Sequence, residues 1–217
     1  MKLLISWLVI GFLALSDSYG AALDATSEQS FLLAQHTFED GLAGKEAAVE
    51  PAIEAFTSLS KQNPDNPLYS AYLGSAMALR GRDAFFPWNK VKRTEEGLDL
   101  LDKALRNINP QHYEMTMRRV PVALEVQLVA GDTFISLPDF FNRNQAGAAL
   151  IKGILVHPLY ATSPPEFRAA VTLRVAKMAK QKDDAVAYKL ALREVIELDS
   201  QGRYGAQAQQ LLDAAQL

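Results

Sequence analysis

The stretch AIEAFTSLSKQNPDNPLYSAYLGSAMA, running from Ala52 to Ala78, decides the fold class. Ala52, Ile53, Phe56 and Leu59 recur at three- and four-residue intervals, the spacing of a buried helical face. Asn63-Pro64-Asp65-Asn66-Pro67 then stops one helix and starts the next, because proline cannot continue a helix but fits its first turn. Beyond the turn, Leu73-Gly74 and Met77 put large and small apolar residues on a second helix. Two helices joined in this way form a hairpin. A hairpin cannot bury its apolar face alone, so more of them are expected on either side.

The rest of the chain carries the same pattern. Helices are expected over 27–39, with Ser27 as N-cap and Gly41/Gly44 as the stop, and over 45–61 and 68–80. The segment 81–92 reads as irregular. Thr94 is then expected to cap a helix whose stripe is Leu98, Leu101, Ala104, Leu105 and Ile108, with Glu95 and Glu96 favourable to its dipole. Further helices are expected over 111–130, with a break or restart at Pro121, and over 138–156, 165–181, 185–198 and 204–215. No alternating strand pattern is evident. The helices pair as 27–43 with 45–61, 67–80 with 94–108, 111–131 with 138–156, and 165–181 with 184–198. The expected fold is all-α, about four helical hairpins plus a C-terminal capping helix, in one domain from 21 to 217.

On these residues the chain resembles the tetratricopeptide repeat (TPR) family. Ala52, Phe56 and Pro64 stand where that family has a small residue, a large aromatic four later, and the proline that ends the repeat. Leu73-Gly74 stand where its next first helix carries Leu-Gly, the glycine allowing close helix approach. A looser copy runs from Gly97 through Leu101 and Ala104 to Pro110, and a weak echo from Ala191-Leu192 to Leu198-Asp199. Ser70 and Met77 depart from the family's usual aromatics, and the second hairpin is too widely spaced for a standard repeat. The resemblance implies a superhelical α-solenoid scaffold with a concave groove that binds proteins or peptides.

Composition narrows the function. The chain has 217 residues and a formal charge of −3, so global attraction to nucleic acid is not expected. It has no cysteine, which excludes disulfides, thiolate metal ligands, a Cys nucleophile and a lipidated N-terminal Cys. Lys2 precedes a nearly unbroken apolar run from Leu3 to Leu15, and small residues around Gly20, Ala21 and Ala22 suit cleavage. Residues 1–20 therefore read as a secretory signal peptide, too short an apolar run for a span of roughly 20 residues. The mature chain is expected to be exported, periplasmic in a Gram-negative cell and otherwise secreted, with no integral membrane segment after cleavage.

The leading candidate site is the segment that interrupts the repeat. Arg80, Arg82, Lys90 and Arg93 bring positive charge to an acidic chain, and Phe85, Phe86 and Trp88 flank Pro87. Arginine and tryptophan are favoured interface anchors. The guanidiniums suit a carboxylate or phosphate, with Trp88 stacking alongside. The structural alternative folds the aromatics back as a plug over the helix ends and pairs Arg82 with Asp83 locally. Arg118-Arg119 either extend the basic surface into the same groove or lie as solvated helix residues. At Asp139-Phe140-Phe141, the acid is expected to cap a helix, with one aromatic in the core and the other outside.

His36, His112 and His157 lie far apart without metal-ligand spacing. Glu39-Asp40, Glu95-Glu96 and Asp183-Asp184 are sequence neighbours that do not share a helix face, so they make poor acid/base dyads. No nucleophile elbow and no Gly-rich phosphate loop is present. No catalytic, metal or cofactor site is therefore expected. The expected function is a non-enzymatic adapter in the cell envelope for a protein or peptide with an acidic or C-terminal carboxylate feature. The alternative is a binding component for an anionic or lipid-like solute, which needs an enclosed pocket near Trp88 and Phe141. Self-association through an exposed apolar stripe on the last helix, 206–216, is a third possibility.

Overall fold

The computed structural model describes residues 13–215, with side chains from Ser27 onward. The first twelve residues of the expected signal peptide lie outside the described residues. The elements in chain order are α1 (Leu13–Leu42), a 3-10 turn (Glu46–Ala48), α2 (Val49–Gln62), α3 (Pro67–Asp83), α4 (Pro87–Arg106) and α5 (Gln111–Glu114). The two-residue strands β1 (Thr116–Met117) and β2 (Val120–Pro121) pair antiparallel. Then come α6 (Val122–Ser136), a second 3-10 turn (Asp139–Phe141), α7 (Asn144–Val156), α8 (Pro158–Thr162), α9 (Pro165–Gln181), α10 (Ala185–Leu198) and α11 (Arg203–Ala214). The fold is all-α. Among the described residues no helix is long and apolar enough to cross a membrane.

The Ala52–Ala78 stretch folds as its spacing predicts. The Asn66 side chain accepts from the Leu68 backbone N–H, and Pro67 occupies the first turn of α3. Phe56 of α2 stacks on Tyr72 of α3 at 4.9 Å, while Phe31 and Phe38 of α1 meet both rings edge-on. Offset and edge contacts of this kind suit the ring quadrupole and add to the area they bury. Antiparallel neighbours α1–α2, α3–α4, α6–α7 and α9–α10 form as expected, and α11 lies on α10. Gly205, Ala208 and Leu212 are the buried face of α11, so its apolar side is spent as a cap.

Several local expectations are corrected. The segment 81–92 is helical except at Ala84-Phe85-Phe86. Pro87 restarts the helix at once, and nothing from Trp88 to Glu96 breaks it. Thr94 is accordingly not a cap but a buried mid-helix residue against Gly81. In 111–131 a helix restarts at Pro121 as expected, but residues 115–121 ahead of it are not helical. Arg118 and Arg119 both have left-handed φ, 53° and 64°, and turn the β1–β2 hairpin, while α6 begins directly after Pro121. Finally, α7 starts at Asn144 rather than 138. Asn142 takes a left-handed φ of 55° after the 3-10 turn, and Asp139 accepts from the Asn144 side-chain amide instead of capping a backbone N–H. Ser27 is likewise no cap, because α1 runs unbroken past it.

At the centre lies α6. Val122, Val126, Val129, Ala130 and Phe134 pack with α1–α4. Leu124, Leu128 and Ile135 pack with α7 and α9. A helix that presents apolar residues to two clusters belongs in a core. The first and last parts of the chain also meet, since Arg203 of α11 pairs with Glu39 of α1 and reaches Glu166 of α9 at 3.4 Å. The helices α1, α3, α6 and α9 therefore surround an inner face that α11 closes.

Candidate functional site

The corner between α3 and α4 is built by a close helix crossing. A Cβ on Gly81 would lie 2.7 Å from the Thr94 backbone nitrogen. Ala84 is the buried residue of the turn, and the rings that follow it stay outside. The expected aromatic plug is therefore not formed. Phe85 is 87% exposed and Trp88 66% exposed, with Phe86 half-exposed between them. Phe86 stacks on Trp88 at 4.8 Å and 15°, and Phe85 meets Phe86 edge-on at 5.0 Å. The three rings form one cluster in solvent, on a rigid hairpin.

That cluster continues into a groove. Trp88, Val91, Glu95 and Asp99 are spaced by three and four residues, which puts them on one face of α4. Across from this face stand Phe140, Phe141, Asn142 and Arg143. Between them lies an open groove of about 460 Å³. Phe140 is exposed and Phe141 half-buried, so one ring of the pair faces outward as expected. Arg143 is held in a two-pronged pair with Asp102 at 2.7 and 3.1 Å and lies over the Phe134 ring. Glu95 and Asp99 make no ion pair among the described residues, so the groove wall on α4 is acidic.

The basic residues singled out in the sequence are mostly spent on the scaffold. Arg82 forks onto Asp83 at 2.6 and 2.9 Å and donates to the Gly41 carbonyl at 2.9 Å, tying the end of α1 to α3. Lys90 donates to the Arg82 carbonyl at 2.6 Å and closes the end of α3. Arg80 sits between Glu50 at 3.6 Å and Glu96 at 3.9 Å. Arg93 is half-buried on α4 without an ion pair among the described residues. Arg119 is exposed at the hairpin tip. Arg118 points inward, far from a solvated helix position. These residues do not assemble into one basic clamp.

Arg118 instead reaches a second site, on the inner face. It pairs with Glu125 Oε1, and its guanidinium lies 5.2 Å from the centre of the Phe31 ring. Tyr72 donates to the same Oε1 at 2.9 Å, and Gln35 donates to the Tyr72 hydroxyl at 2.9 Å. Glu125 is 3% exposed, yet its Oε2 has no partner, and neither does Arg118 Nε. Burial pushes the Glu125 carboxyl above its ordinary value, against the pull of Arg118 and Tyr72. Burial, and then the Glu125 charge, raise Tyr72 well above the usual phenol range. A cavity of about 60 Å³ opens beside them, rimmed by Glu166, Arg203 and Tyr204. The rim arginine donates to the Tyr204 hydroxyl at 2.9 Å.

Of this inner site the sequence analysis singles out Arg118 alone, although a signal for Glu125 is also visible. From Val120 to Gly131 every residue is uncharged except Glu125. An ionisable group in such a run needs a partner from elsewhere.

The histidines serve the frame. His112 Nδ1 accepts from the Asn109 N–H at 3.1 Å, with its Nε2 2.9 Å from the Asp65 carbonyl. His157 accepts from the Leu159 N–H at 3.2 Å and stacks on Tyr113. Among the described residues no three His, Asp or Glu side chains cluster in a way that could hold a metal ion. No known family model, curated protein or solved structure matches the chain.

Proposed function

We propose that this chain is an exported, non-enzymatic adapter of the TPR-like kind, which binds a protein or peptide at the α3–α4 corner and the groove beside it. The observation that carries this is the solvent-held cluster of Phe85, Phe86 and Trp88. Large aromatics left in water on a rigid hairpin contribute little to folding and are the side chains that anchor interfaces. Glu95 and Asp99 suit a partner segment with an aromatic or aliphatic residue followed by a basic one. This replaces the acidic partner expected from the Arg80–Arg93 charges, because Arg80, Arg82 and Lys90 are engaged within the fold.

The repeat-like assignment rests on the serial stacking of hairpins and on Ala52, Phe56, Pro64, Leu73 and Gly74. The exported location rests on the leader-like N-terminus. The mass of the protein recovered from cells tests that part: a start at Ala21 or Leu23 is expected, and an intact Met1 start would contradict it. A solute site beside Trp88 is disfavoured, since the groove there is open rather than enclosed.

Affinity capture from an envelope extract tests the binding surface. A partner retained by the wild type should be lost at least about tenfold by Phe86→Ala combined with Trp88→Ala, at an unchanged melting temperature. Equal retention by the two proteins would sink the proposal.

A further inference from the structure

The inner cavity has features that the folded frame alone does not explain. Its Glu125 is the one charged residue between Val120 and Gly131. Oε1 accepts from both Tyr72 and Arg118, while Oε2 accepts from nothing. A buried carboxylate oxygen without a donor is costly, and native proteins leave few of them. The charged side chains that line the cavity, Glu125 and Glu166 against Arg118 and Arg203, balance. The empty acceptor therefore selects the ligand. An anion brings it no donor, whereas a cation with N–H donors fills it.

The space is small. About 60 Å³ is roughly two waters' share of liquid volume. It takes a head group of a few heavy atoms. Of the common cationic heads, a primary ammonium is the compact one and brings three donors. One would meet Glu125 Oε2, and the others would face the mouth, where Glu166 offers a half-exposed carboxylate.

We infer that this cavity, lined by α1, α3, α6, α9 and the start of α11, is a binding site for a small primary ammonium ligand whose N–H donates to Glu125 Oε2. The site is separate from the aromatic corner and does not depend on the adapter function.

Titration calorimetry on the wild-type chain tests it with three probes: ethanolammonium, choline and acetate. Ethanolammonium has N–H donors, choline has the same charge without them, and acetate has the opposite charge. Ethanolammonium should bind at millimolar or lower concentration, with choline and acetate at least about tenfold weaker. Glu125→Gln, checked for native helix content, should weaken ethanolammonium roughly ten- to a hundredfold. Choline binding as well as ethanolammonium would show general charge attraction and overturn the assignment. So would no heat from ethanolammonium, which would leave the cavity to water. The probe comparison uses unaltered protein, so it decides the matter even if the Gln variant does not fold.

Discussion

Gly74 and Gly97 face each other where α3 crosses α4, so closely that a Cβ on either would run into the other's carbonyl oxygen. For Gly74 the separation would be 2.6 Å. Backbone cannot step aside as a flexible side chain can. Gly74→Ala and Gly97→Ala should each therefore lower stability by about 1–3 kcal/mol. Gly153 on α7 has nothing within 4 Å of its would-be Cβ. Gly153→Ala should instead stabilise by about 0.5–1 kcal/mol through helix propensity. Urea melts of the three variants check this, and equal effects at Gly74 and Gly153 would contradict the crossing.

Arg118 and Arg119 share a left-handed backbone but differ in what their side chains do. Arg119 is exposed, so Arg119→Gly should relieve strain and stabilise by about 1 kcal/mol. Arg118→Gly relieves the same strain but leaves Glu125 buried without its cation, a loss of about 3–5 kcal/mol. Thermal melts of the two single variants should move in opposite directions.

The pH dependence of stability should carry two opposed contributions. Glu125 titrates above its ordinary 4.5 in the folded chain, because burial disfavours its charge. Its contribution is full below 4.5 and is lost as pH rises through the raised value. Asp132 also feels burial, but Arg174 and Lys177 outweigh it and hold it below 3.8. Its contribution is present above 3.8 and is lost as pH falls through the lowered value. Asp132→Asn should cost about 1.5–3 kcal/mol at neutral pH, a difference that closes in acid. Glu125→Gln should gain on the wild type as pH rises from 4.5. Melting curves across pH check both signs.

Exposure at the corner separates binding from folding. Trp7 and Trp88 are the two tryptophans of the chain. In protein starting at Ala21, Trp88 is the sole tryptophan and can be excited selectively. Its fluorescence should be that of solvated tryptophan and readily quenched by iodide. Trp88→Ser should change stability by no more than about 0.5 kcal/mol, whereas Phe56→Ala in the core should cost about 3–5 kcal/mol. Blue-shifted, quencher-protected emission would restore the plug.

The all-α class and the hairpin pairing were legible in the sequence because they rest on local periodicity and on prolines that act where they stand. Asn63–Pro67 is the clearest case. The corner was misread as a loop because Gly81 looks like a breaker by propensity, whereas α4 needs it for close approach. The break between 111 and 131 was marked by Pro121, but nothing in Arg118-Arg119 announces a left-handed turn, since arginine has no preference for it. The inner site was hidden for a different reason. Gln35, Tyr72, Glu125 and Arg203 lie far apart in sequence; the packing of α1, α3 and α6 joins the first three, and the return of α11 adds Arg203.

The central claim is that the aromatic corner is where a partner docks. Replacing Trp88 with a photoreactive residue in the living cell, with exposed Gln207 replaced as the control, tests it most directly. The account predicts one envelope protein crosslinked at 88 and not at 207. Only self-crosslinks, or the same products from both positions, would contradict it.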